Sequence, residues 1–182
     1  MIILSYLLLF LLLLIFLSAL LFLITPLFSL IPFVPVRKEV LNKIVSALEL
    51  KEDSTLYDLG CGDGRVLLEA LKSNPNISCI GVEISPFPFM LAKIKKLLNS
   101  SKNIYILYGN FYKTNISEAS HIFLYLFPEA MDKLLPKFEK ELKVGSRVVS
   151  CDFEFSKRKP DKILETGLPN WQKNKKLYVY NF

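Results

Sequence analysis

The sequence predicts an α/β protein: one mostly parallel, seven-stranded sheet with helices on both faces and an antiparallel edge strand, preceded by one transmembrane helix. Three observations carry this. Residues 1–36 contain no Asp, Glu, Lys or Arg, and all 23 basic and 17 acidic residues of the 182-residue chain follow them. Beyond residue 36, short β-type runs alternate with helical ones, the pattern of parallel strands joined by crossover helices. A glycine-rich loop stands between the first of these strands and the helix after it. The same distribution excludes an intrinsically disordered chain, a polytopic membrane protein and a fully soluble one.

The first element is the apolar run over residues 2–24. It exceeds the ~20 residues needed to cross a hydrocarbon core of ~30 Å. A secretory signal would have a basic start and a shorter apolar core, and this run has neither. Residues 1–25 are therefore expected to be a transmembrane anchor. Pro26, Pro32 and Pro35 make residues 26–36 an extended connector, since proline breaks a helix and restricts the residue before it. No Lys or Arg precedes the span, while Arg37, Lys38 and Lys43 follow it. The expected protein is single-pass, with residues 37–182 on the cytoplasmic side.

In the body, Val40, Leu41, Ile44, Val45 and Leu48 recur at helical spacing over 37–48. Strands are expected at 55–59, 78–84, 104–108, 120–126 and 147–155, with helices at 65–72, 87–98 and 129–142. A loop joins the third strand to the fourth. The last two strands, 162–165 and 176–182, have no long helix between them and should form an antiparallel pair. Cys61, Cys79 and Cys151 are too widely spaced for a disulfide framework or a paired-cysteine metal site. With His121 the sole histidine, no metal is expected, and His121 itself is read as structural.

The sharpest motif is Tyr57-Asp58-Leu59-Gly60-Cys61-Gly62-Asp63-Gly64-Arg65. Its glycines allow tight turning and close approach of a ligand. A dinucleotide fingerprint would require glycine where Arg65 stands, and no phosphate-loop motif is present. Glu83 ends the second strand, where a carboxylate can accept both ribose hydroxyls of a nucleoside. Asp58 ends the first strand and suits a cationic amine. A nucleoside with an amino-acid tail and no phosphate fits both acids, and S-adenosylmethionine is that molecule.

Over residues 37–182 the sequence resembles the class I, seven-β-strand, Rossmann-like methyltransferases. The resemblance implies a methyltransferase that binds S-adenosylmethionine. Asp58, Gly60, Cys61, Gly62 and Gly64 would line its methionine end. Glu83 would hold the ribose with Ile84 beside it, and Asn110 and Phe111 would meet the adenine. A narrower resemblance rests on Pro32-Phe33-Val34-Pro35, Asp58–Arg65, Gly109-Asn110-Phe111, 116–119 and 134–155. These segments are similar to the archaeal and mitochondrial membrane-anchored protein lysine methyltransferases. The latter act on the ATP synthase c-subunit and the adenine nucleotide translocase. Val36 departs from the Thr or Ser common in those relatives.

The resemblance implies methylation of protein lysine ε-amino groups, the anchor puts the protein substrate at the membrane, and a monomer is expected. The fourth strand ends Leu124-Tyr125-Leu126-Phe127-Pro128, without the Asn-Pro-Pro-Tyr motif of enzymes that methylate planar amides and bases, so no nucleic-acid partner is expected. The alternatives are a small-molecule methyltransferase, acting on a lipid or quinone, and a nucleic-acid methyltransferase. Tyr125, Phe127, Asp152 and Glu154 are expected to line the substrate channel, in the same stretch as Phe153. Strand alternation would put Asp152 and Glu154 on one face and Phe153 and Phe155 on the other. No residue is identified as a catalytic base.

Overall fold

The computed structural model describes residues 2–28, 33–169 and 171–182. The chain divides into two units, residues up to Phe33 and residues Val34–Phe182.

The first unit is α1 (Ile2–Phe28). The side chains of Ile3–Leu21 are exposed on every face of the helix, and this stretch is long and apolar enough to cross a membrane. The Ser18 hydroxyl donates to the Ile15 carbonyl at 2.7 Å, which satisfies it without water. The helix runs through Pro26 rather than stopping before it. So close to a helix end, a missing N–H removes a single bond. Pro32 lies outside the described residues.

The second unit holds α2 (Lys38–Leu48), β1 (Thr55–Leu59), α3 (Arg65–Ser73), β2 (Ser78–Glu83), α4 (Pro86–Leu98), β3 (Ile104–Tyr108), β4 (His121–Leu124), α5 (Pro128–Glu141), β5 (Arg147–Cys151), β6 (Lys162–Glu165) and β7 (Lys176–Asn181). The sheet order is β3-β2-β1-β4-β5-β7-β6. The first five strands in sequence pair in parallel, and β7 pairs antiparallel with both β5 and β6. The antiparallel strand thus lies one place inside the edge, between β5 and β6.

Period-two alternation sends side chains to both faces of the sheet. On one face Leu56, Cys79, Ile104, Phe123, Val149 and Val179 join a cluster with Val40 and Ile44 of α2, Leu67 of α3 and Ala92 of α4. On the other, Leu59, Val82, Ile122, Leu124, Val148 and Tyr180 pack with Met131, Leu134 and Phe138 of α5. Arg147 ties α2 to the sheet: its Nε donates to the Ala47 carbonyl at 2.8 Å and its guanidinium pairs with Glu49. His121 opens β4 at the amino end of the sheet, with Nδ1 2.9 Å from the Ser120 hydroxyl. Burial, aided by nearby Arg147, pushes its pKa down to about 4, so it is neutral at pH 7.

β1 lies between β2 and β4. The chain winds outward from β1 through β2 and β3, then returns to β4 on its other side. That reversal opens a crevice at the carboxyl ends of β1 and β4, where open α/β sheets bind ligands.

Candidate active site

Gly60, Gly62 and Gly64 have φ of 85°, 55° and 73°, in the left-handed region where a side chain is strained. A Cβ on Gly60 would also stand 3.2 Å from Leu126 Cδ2. The loop is clamped by its own amides. Gly60 N–H and Cys61 N–H both donate to the Val82 carbonyl, at 2.8 and 3.1 Å. Gly62 N–H donates to Glu83 Oε2 at 2.9 Å, and Gly64 N–H to the Cys61 carbonyl at 2.9 Å. A phosphate site needs such N–H groups free and converging. Here they are already committed, and the loop offers a ligand glycine surface and carbonyl oxygens.

Glu83 is fixed on both oxygens: Oε1 accepts from Ser85 N–H at 2.7 Å. Each oxygen keeps a further lone pair for a hydroxyl donor. Asp58 is buried at the end of β1. Burial raises its carboxyl well above the ordinary range, and the charges of Glu83 and Asp63 raise it further. Among the described residues no lysine or arginine pairs with Asp58 or Glu83. This acidic, phosphate-averse cradle suits a cationic adenosine compound.

Asp63, in the same loop, behaves differently. Burial would raise its carboxyl, but hydrogen bonds from Arg65 and Lys95 outweigh this and hold it at about 2. Arg65 reaches it from the start of α3 at 2.6 Å and also donates to the Val36 carbonyl at 2.6 Å. This clasp joins loop, α3, α4 and the segment before α2. The Asp63–Arg65 half could have been found from their spacing in sequence. Lys95, 32 residues away, gave no local signal.

The other expected positions divide. Ile84 is half exposed beside Glu83 at the end of β2. Cys61 contributes backbone only: its side chain turns inward, since a Cβ on Gly81 would lie 2.7 Å from its Sγ. Asn110 follows β3, and its Oδ1 accepts from Tyr112 N–H at 2.9 Å. Phe111 is buried in the cluster beneath α5, so its ring serves the core rather than an open adenine face.

At the carboxyl ends of β4 and β5, Tyr125 stacks on Phe153 with ring centroids 6.1 Å apart, and Phe127 packs on Phe153 at 5.6 Å. The expected alternation fails here because β5 stops at Cys151 and Asp152 has φ of 63°. Phe153 therefore packs with Tyr125 and Phe127 in one aromatic group. Asp152 is held by backbone: its oxygens accept from Asn174 N–H at 2.5 Å and Lys175 N–H at 2.7 Å. The Tyr125 hydroxyl feels the Asp152 charge. Burial first, then the Asp152 charge, push it up to about 12. Glu154 stands apart, exposed after β5, where its charge acts on Tyr178 and Tyr180 instead of the aromatic group. Asn174, which also takes the Arg37 N–H at 3.0 Å, had no signal in the sequence.

The strand order, the left-handed glycine loop and the paired acids of β1 and β2 define a Rossmann-like, S-adenosylmethionine-dependent methyltransferase. The ANTKMT methyltransferase domain matches residues 58–162. A protein-lysine N-methyltransferase of Saccharolobus islandicus is 35% identical over 155 residues, covering 82% of this chain and 93% of that one. The human lysine N-methyltransferase of the ATP synthase c-subunit is 28% identical over 141 residues, covering 76% of this chain and 58% of that protein. Among solved structures, an RNA methyltransferase from Salinibacter ruber with bound S-adenosyl-L-homocysteine superposes with a TM-score of 0.73 at 30% identity, covering 81% of this chain and 93% of that one. The chain belongs to the ANTKMT methyltransferase domain family.

Proposed function

We propose that this enzyme methylates lysine ε-amino groups of membrane-associated proteins, anchored by α1 as a single-pass protein with its body on the cytoplasmic side. The observation that carries the reading is the 35% identity across nearly the whole of an archaeal protein named for lysine methylation. The site fits it. Asp58 would face the cationic end of S-adenosylmethionine, Glu83 would accept its ribose hydroxyls, and Asn110 would lie toward the adenine. When bound, the cofactor supplies an electrophilic methyl group on a sulfonium.

This chain's own part is to deliver a neutral amine. A free lysine has a pKa of ~10.4 and must lose a proton before it can attack. Apolar walls disfavour the ammonium form, and Tyr125, Phe127 and Phe153 supply such walls. Tyr125 keeps its proton at neutral pH. Its oxygen can accept an N–H from the incoming amine and help align it, while the proton leaves to solvent. Alignment of amine and methyl supplies much of the rate. Arg37, Lys38 and Lys43, following the apolar helix, support the cytoplasmic orientation.

Membranes and soluble extract incubated with the enzyme and tritiated S-adenosylmethionine test the reading. Acid hydrolysis of the labelled membranes should yield methylated lysine. Label confined to solvent-extracted lipid or quinone, or to nucleosides released by nuclease, would overturn it.

A further inference from the structure

α4 carries its apolar residues on the wrong side for a soluble helix. Its inner face buries Pro88 and Ala92. Its outer face presents Met90 (56% exposed), Ile94 (49%), Leu97 (78%) and Leu98 (77%). A helix on a protein surface ordinarily turns polar residues outward. The sheet edge beside it continues the theme, with Tyr105 of β3 more than half exposed.

The surrounding charge has one sign. Between residues 84 and 117 there are five lysines, at 93, 95, 96, 102 and 113, and no Asp or Glu. Of these, only Lys95 has a carboxylate partner among the described residues. Lys93 extends over the Phe89 ring at 5.8 Å, and Lys96 over the Tyr105 ring at 5.5 Å. Cations therefore line the side of the apolar strip that faces β3.

We infer that the outer face of α4 docks on an anionic lipid surface. An apolar helical face bordered by lysines suits the boundary between headgroups and acyl chains, where each component meets its complement. The competing occupants fit worse. A second copy would bring lysines against lysines with no acid between them. Nucleic acid would meet the lysines but gain nothing from four aliphatic side chains. The inference rests on the proposed anchoring by α1. Residues 29–37 join α1 to α2, and so short a connector reaches at most about 30 Å, which confines an anchored body to the membrane surface.

The test uses the full chain reconstituted into phosphatidylcholine vesicles with and without one quarter phosphatidylglycerol. Cys61, Cys79 and Cys151 are buried, so a nitroxide can be placed at Leu97→Cys, with Glu139→Cys on α5 as the control. In the anionic vesicles, collisions of the label at 97 with a water-soluble nickel chelate should fall at least about fivefold below those at 139, as expected at a depth of ~5–10 Å in the interface. Adding Met90→Glu and Ile94→Glu should restore access while leaving cofactor affinity unchanged. A chain that floats with the vesicles but leaves position 97 as accessible as 139 refutes the docking and spares the anchor. A chain that does not float refutes both. Protection in both vesicle types with spin–spin broadening at 97 would assign the face to a second copy and overturn the inference. Protection by added RNA alone would do the same.

Discussion

At the scale of single residues, Glu83 does two things at once. Its oxygens tie the glycine loop and the start of α4 to β2, and in the proposed reading its remaining lone pairs accept the ribose hydroxyls. Replacing it with Ala removes two charge-assisted acceptors, each worth ~1.5–3 kcal/mol. S-adenosylmethionine affinity measured by calorimetry should fall at least about 100-fold. Glu83→Gln should be nearly as damaging, because its amide NH₂ would face a backbone N–H donor. Asp58 gives a second expectation. Its carboxyl is raised by burial and by Glu83, and a cation binds its ionised form. As pH falls through the raised pKa, the site must first lose a proton, so affinity should rise with pH. Asp58→Asn should bind more weakly and with a flatter pH profile; an unchanged slope would remove Asp58 from the cofactor's cationic end.

Among elements, β2 and the glycine loop act as one piece. A Cβ on Gly81 would stand 2.7 Å from Cys61 Sγ and 2.8 Å from Leu67 Cδ1. Gly81→Ala must push the loop off β2. A stability loss of about 1–3 kcal/mol is expected, read as a lower melting temperature, with weaker cofactor binding. The alternation of strand and helix was legible because β1 to β5 are short apolar runs bounded by polar turns, while the helices between them are longer. The glycine loop and Glu83 were legible because their roles depend on neighbours close in sequence. The end of β5 was not. The left-handed turn at Asp152 is fixed by amides of residues 174 and 175, and no local pattern announces it. The alternation that paired Phe153 with Phe155 on one face therefore fails: Phe153 packs on Tyr125 and Phe127, while Phe155 packs on Phe138 and Tyr180.

For the whole molecule, both apolar clusters and every named site residue fall within Val34–Phe182. Removing residues 1–33 should leave a body that unfolds cooperatively and binds S-adenosylmethionine with affinity within about twofold of the full chain, since the free energy of both processes resides in that unit. Calorimetry and thermal melts check this; loss of binding would make the apolar helix part of the catalytic fold. The clamped amides of the glycine loop also bear on life among the cell's commoner adenosines. ATP and the dinucleotides crowd every cytosol and share the same base and sugar. A cradle whose glycine N–H groups are taken, and whose open charges are acidic, repels their phosphates while welcoming a cation. The enzyme's occupancy should then follow the supply of methyl donor and stay insensitive to the energy state of the cell.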